Sequence, residues 1–201
     1  MNELKSVLRP ALVSFALLAT LTGLVFPLAL TGIAQVAMPW QANGSLIKQD
    51  GKIIGSRLIG QDFSDPRYFW GRPSATATLP YNGVASGGSN LGPSNPVLVE
   101  TVQARLAALR AANPDAKGPV PMDMVTASAS GLDPDISPEA AQWQAPRVAK
   151  ARGLPLAQVV TLVRAHTEQP MLGVLGAPRV NVLELNLALD RLAGQSTSGS
   201  R

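Results

Sequence analysis

The sequence predicts an α+β domain held outside the membrane by one N-terminal transmembrane helix. Three observations predict it. No charged residue occurs between Arg9 and Lys48. Lys5 and Arg9 lie tight against the apolar part on its N-terminal side, whereas Lys48, Lys52 and Arg57 begin only about ten residues beyond Met38, which favours a cytoplasmic N-terminus and an external remainder. Beyond the run, short β-branched segments and helix-period apolar patterns alternate with Gly- and Pro-rich connections.

The span is placed at residues 10–38, after a short cytoplasmic tail, 1–9. Its apolar part, Ala11 to Met38, is about 28 residues, or ~42 Å as a helix. The hydrocarbon core is ~30 Å thick, so the helix spans with tilt, a bend or an exposed end. Pro27 supplies a bend, and Trp40 lies where an interfacial ring belongs. The rival is a cleaved signal peptide with Gly32-Ile33-Ala34 as its cleavage site. The apolar run is about twice the length of such a peptide's ~7–15-residue core, which favours a retained anchor. On a straight 3.6-residue helix Ala16, Thr20, Gly23, Pro27 and Ala34 form a stripe of small residues, a face on which another membrane helix can dock closely.

The domain is placed at 39–194. Ser45–Lys48 and Lys52–Ile59 read as two strands joined at Asp50-Gly51, a hairpin-turn pair. Asp62–Asn95 is Gly-, Pro-, Ser- and Asn-rich with sparse aromatics. A loop that long in a compact domain is commonly functional or a docking surface, here held by Phe63, Tyr68, Phe69, Trp70 and Tyr81. Asn95 caps a helix opened by Pro96, with Leu98, Val102, Leu106 and Leu109 on its apolar face. Asn113-Pro114 ends it. Met122–Thr126 reads as a short strand. Ser137 caps a helix that Gly153 stops. Pro155 opens another, to about Glu168. Asn181 and Glu184 mark the start of a last helix, ending near Gly194, before a loose polar tail, 195–201.

Composition narrows the chemistry. The 201 residues include no cysteine and one histidine, which excludes disulfides, iron–sulfur clusters, thiol catalysis and Cys-ligated zinc. A net charge of +4 without a dense Lys/Arg block argues against nucleic acid. Gly87-Gly88 is not followed by the lysine of a phosphate-binding loop, and there is no Gly-x-Ser-x-Gly elbow. Asp133, Asp135, Ser137 and Glu139 alternate like calcium ligands. Pro138 stands where that turn needs glycine, and Gln144 where a bidentate Glu belongs. No metal site is therefore assigned. His166 falls near a helix end, where a basic group suits the dipole. Ser86–Asn90 reads as a turn or an anion nest. Val125–Gly131 reads as a close-packing run or a phosphate approach.

Several motifs occur together in order. They include Pro39-Trp40-Gln41-Ala42-Asn43-Gly44-Ser45-Leu46, Gly71-Arg72-Pro73-Ser74-Ala75, Ser86-Gly87-Gly88-Ser89-Asn90-Leu91, Ile136-Ser137-Pro138 and Leu185-Asn186-Leu187-Ala188-Leu189. With them the chain resembles the KdpC family, C subunits of bacterial high-affinity ATP-driven potassium transporters, from about Arg9 to Leu192. The resemblance implies an accessory, non-catalytic, single-span subunit of the cell inner membrane. Its partners would be a channel-like potassium-translocating subunit (KdpA), a P-type ATPase subunit (KdpB), a small single-helix peptide (KdpF) and the lipid bilayer. The chain contains neither an Asp-Lys-Thr-Gly-Thr phosphorylation sequence nor a Thr-Val-Gly-Tyr-Gly filter, so neither transport step is expected of it. The resemblance also carries an alternative: a catalytic chaperone that contacts ATP at the glutamine matching Gln144 and raises the pump subunit's nucleotide affinity. Arg147, three residues on, could meet a phosphate and Trp143 stack on a base. The plainer alternative, which helix aromatics favour, is that Trp143 packs in the core while Gln144 and Arg147 make surface hydrogen bonds. With the N-terminus inside, Gln144 and cytoplasmic ATP lie on opposite sides of the membrane, so the expectation is no tightly bound cofactor, with ATP acting through the complex.

Overall fold

A computed structural model describes the backbone of residues 2–198 and the side-chain surroundings of residues 6–192. The described residues fall into two compact units, one ending at Leu46 and the other beginning at Ile47.

The first unit is dominated by one long apolar helix, α1 (Asn2–Thr20), a π-helical turn (Leu21–Val25) and α2 (Phe26–Ala37). Helix extends N-terminally through most of the expected 1–9 tail. The stretch Ser6–Ala37, 32 residues, is long and apolar enough to cross a membrane. The π turn has a local cause. Pro27 lacks an N–H, and in a regular helix its ring would meet the carbonyl of Gly23. Opening the preceding turn avoids that clash: the Phe26 N–H donates to Leu21 O, five residues back. One inserted residue rotates the rest of the helix by about 100°. The stripe expected on a straight helix is therefore split: Pro27 and Ala34 turn away from the line through Ala16 and Thr20, and Gly23 lies inside the π turn. A short α3 (Pro39–Ala42) comes next, and the Trp40 indole N–H donates to Leu46 O at 3.0 Å.

Beyond it, β1 (Leu46–Gln49) and β2 (Lys52–Ser56) form the expected hairpin. Asp50 and Gly51 both have positive φ, +49° and +75°, the geometry of a two-residue type I′ turn. No helix or strand occurs between Ser56 and Pro96. α4 (Pro96–Ala112) starts on Asn95, whose side chain accepts from the Val97 N–H, and buries Leu109 with Val102 and Leu106 partly covered. The strand expected at Met122–Thr126 is instead a 3₁₀ turn, Met122–Met124. Met124 and Val125 point to the core while Met122 stays exposed, and no strand pairs with the segment among the described residues.

α5 (Pro138–Arg152) is capped by Ser137 Oγ, 3.0 Å from the Ala140 N–H, and ends at Gly153 with φ +64°. α6 (Leu156–Ala165) is shorter than expected because Thr167–Glu168 pairs as a strand. That strand, β4 (Thr167–Glu168), joins β3 (Asp135–Ile136) and β5 (Arg179–Asn181) in an antiparallel sheet of order β3-β5-β4. Asp135 faces Asn181, and Thr167 faces Val180. α7 (Val182–Ser198) begins where Asn181 Oδ1 accepts the Glu184 N–H at 3.1 Å. It continues past Gly194, the expected stop, because a glycine without a left-handed turn weakens a helix but does not end it. Of the expected loose tail, 195–198 are helical and 199–201 lie outside the described residues. The core lies between α5, α6, α7 and the small sheet, where Val148, Val159, Val163, Val180, Leu185 and Leu189 are fully buried.

Candidate functional site

The segment around Phe69 runs through the domain without a strand beside it, so its peptide groups need other partners. Two buried amide side chains supply them. Asn186, on α7, accepts from the Phe69 N–H at 2.8 Å and donates to the Phe69 carbonyl at 2.9 Å. Gln144, on α5, does the same for Trp70, at 2.8 and 3.1 Å. Successive residues are thus clasped from two helices, each amide acting as one rung of a missing strand.

Arg147 completes the clasp. It lies one turn beyond Gln144 on the same face of α5, and is only 7% exposed. Its Nη2 donates to Gln144 Oε1 at 2.8 Å, its Nε to Asn113 Oδ1 at 2.8 Å, and its Nη1 to the carbonyls of Pro66 and Tyr68 at 2.7 and 3.0 Å. Its guanidinium stacks 4.0 Å over the Trp70 ring. Among the described residues no carboxylate pairs with it. Burial lowers its pKa to about 10, opposed by the more distant Asp65. The cation persists because carbonyl and amide dipoles replace the counter-ion.

A second row fastens the outer edge. Arg152 donates to Arg67 O at 2.6 Å, pairs with Asp190 at 2.8 Å and lies over Tyr68. Arg67 hydrogen-bonds Asp65 and holds that exposed carboxyl down to about 2.

Gln144 and Arg147 are therefore brought together, but facing inward rather than at the surface. Both lone-pair directions of Gln144 Oε1 and both its N–H groups are engaged, the last on Met124 Sδ at 3.5 Å, and the residue is 0% exposed. Trp143 is buried at 7% exposed, and its indole N–H has no hydrogen-bond partner among the described residues. Sequence reasoning named Asn113, Asn186, Phe69 and Trp70 but assigned none of them to a site with Gln144 and Arg147. The available signal was Asn186, a lone amide within an otherwise apolar Leu185–Leu189 stripe.

The other candidate segments also find local roles. Ser86–Asn90 and Val125–Gly131 pack on each other. Gly87 N–H donates to Ser130 O at 2.9 Å, as does Ser86 Oγ at 3.0 Å. Asp133 pairs with Arg72, and Asp135 with Arg179 and Asn181. His166 caps α6, its Nδ1 2.9 Å from Leu162 O.

The fold and this site define a small mixed helix–sheet domain preceded by one long apolar helix, its buried polar side chains fastening a long loop. Comparison with known proteins places it more closely. The model of the KdpC family, described as K+-transporting ATPase, c chain, matches residues 8–191, and the chain belongs to that family. A Potassium-transporting ATPase KdpC subunit of Variovorax paradoxus (strain S110) is 63% identical over 190 residues, covering 94% of this chain and 98% of the relative. The same-named protein of Polaromonas naphthalenivorans (strain CJ2) is 61% identical over 196 residues, 98% and 100% of the two chains. That of Dechloromonas aromatica (strain RCB) is 60% identical over 190 residues, 94% and 100%.

Proposed function

We propose that the chain is a non-catalytic assembly subunit of an ATP-driven potassium transporter. It crosses the inner membrane once, N-terminus in the cytoplasm, and carries its α+β domain outside. It docks with the channel-like, P-type ATPase and small-peptide subunits, and its effect on ATP use is indirect, through subunit packing. The names of the relatives support membership of the complex. The observation that carries the non-catalytic reading is the commitment of Gln144 and Arg147 to the loop. An ATP contact at Gln144 would have to displace the Trp70 peptide group and leave Arg147 short of an acceptor. The exposed apolar helix, with the small residues Ala16 and Thr20 on one side, supports docking within the membrane. A reporter fused after Leu192 tests the orientation: activity of one that works only outside the cell is expected, and activity of a cytoplasm-only reporter would overturn the reading.

A further inference from the structure

The clasped loop forms one wall of a cavity of about 440 Å³ against α4, a size that suits a small organic molecule. Phe63, Trp70 and Tyr81 present aromatic surface to it, with Leu109 and Met124 behind. The wall is held in place from outside. Gln144 and Arg147 fix Trp70, the Tyr81 hydroxyl donates to the Arg72 carbonyl, and Ser74 Oγ donates to Gly131 O at 2.7 Å. A site that is already ordered loses little on binding.

Its charges are unevenly answered. Arg72 pairs with Asp133 at 2.8 Å. Arg105 has one hydrogen bond, Nη1 to Val125 O at 3.0 Å, and no carboxylate partner among the described residues. Burial lowers its pKa, the mark of a cation that has lost water without gaining a counter-ion. Asp62 lines the same cavity, is exposed and takes part in no ion pair among the described residues. It is well hydrated where it stands, and it disfavours a second negative charge on whatever binds beside it.

We propose that this cavity binds a monocarboxylate with an apolar or aromatic body, the carboxylate on Arg105 and the body against Phe63, Trp70 and Tyr81. The single unanswered cation selects an anion, the guanidinium fork matches a carboxylate, the rings select an apolar body, and Asp62 selects one charge rather than two. The proposal does not rest on the assembly role.

Calorimetric titration of the full chain in detergent micelles with 3-phenylpropionate, against a matched micelle blank, tests this. Saturable submillimolar binding is expected. The neutral 3-phenylpropanamide and the dianion phenyl phosphate should each bind at least tenfold more weakly. Arg105→Gln should weaken 3-phenylpropionate at least tenfold. Ala108→Phe, which fills the cavity from an exposed α4 position, should abolish binding without touching any charge, and Asp62→Asn should relax the discrimination against phenyl phosphate. In the assembled transporter, retained binding identifies a free molecule as the natural occupant. Binding to the chain alone identifies a carboxylate carried by another subunit. Absence of saturable binding, or equal binding by the unaltered chain, Arg105→Gln and Ala108→Phe, would overturn the proposal.

Discussion

Replacing Gln144 with leucine isolates the clasp. The two side chains are close in volume, so no large cavity forms, and the change is confined to polar partners. Trp70 loses the acceptor of its N–H and the donor to its carbonyl, and Arg147 loses one acceptor. A buried polar group left unpaired costs about 1–3 kcal/mol. Trp70 is only half-buried, so water recovers part of that, and the sum should fall at about 2–4 kcal/mol. In a domain of this size 1 kcal/mol moves the melting temperature by about 2–4 °C, so the middle of that range corresponds to a fall of roughly 6–12 °C. The full chain in detergent, melted by tryptophan fluorescence, gives the number. Trypsin gives its location: cleavage after Arg67 should accelerate before cleavage within α5 or α7. Asn186→Leu should behave alike, and the double variant should lose less than the two losses added, since both release one segment. A melting temperature unchanged within about 2 °C, equivalent to about 0.5–1 kcal/mol, with no faster cleavage at Arg67, would refute the reasoning.

Three further outcomes are expected. Arg147→Lys should cost about 2–4 kcal/mol in the same melt, because one ammonium cannot reach Asn113, Pro66, Tyr68 and Gln144 together. Gly131→Ala should cost about 2–4 kcal/mol, since φ is +67° and a Cβ would lie 2.7 Å from Gly87 O and Thr76 Cγ2; Gly83→Ala, with nothing within 4 Å and no positive φ, should melt within a degree or two of the unaltered chain. Asp135 lies above the ordinary Asp pKa because burial disfavours its charge, against the hydrogen bond from Asn181 and with Asp133 adding to the rise. A raised folded-state value means the ionised group detracts from stability at neutral pH, and the loss is relieved as pH falls through that value. Asp135→Asn keeps an acceptor for Asn181 and gives up only a pair with half-exposed Arg179. It should melt at or above the unaltered chain at pH 7, with the difference vanishing below about pH 4.

The parts of this fold that were legible in the sequence are those with local causes. A charge-free run fixes the apolar helix, Asp50-Gly51 fixes the hairpin, and Asn95, Ser137 and Asn181 fix helix starts through hydrogen bonds spanning two or three residues. What escaped is non-local. β3, β4 and β5 have two or three residues each and exist only by pairing between residues 135 and 181 or 167 and 180. No window of sequence carries that signal. The π turn escaped for another reason: Pro27 announces a bend, but whether the helix kinks or widens depends on the carbonyl geometry before it. At the site, helical spacing put Gln144 and Arg147 on one face of α5. It could not say which way they faced, because that is set by Phe69 and Trp70, more than seventy residues away in the chain. A polar pair at helical spacing reads the same whether it awaits a ligand or grips a buried peptide.

The proposed role is tested most directly by purifying the transporter through a tag on its P-type ATPase subunit, from cells with and without this chain. Recovery of the potassium-translocating subunit and the KM for ATP are then measured on the same preparations. An assembly subunit predicts that the translocating subunit is lost when the chain is missing, and that complexes carrying Gln144→Leu keep an unchanged KM for ATP wherever they assemble. Full recovery of the other subunits without the chain, with only the KM for ATP raised and the same rise produced by Gln144→Leu, would contradict it.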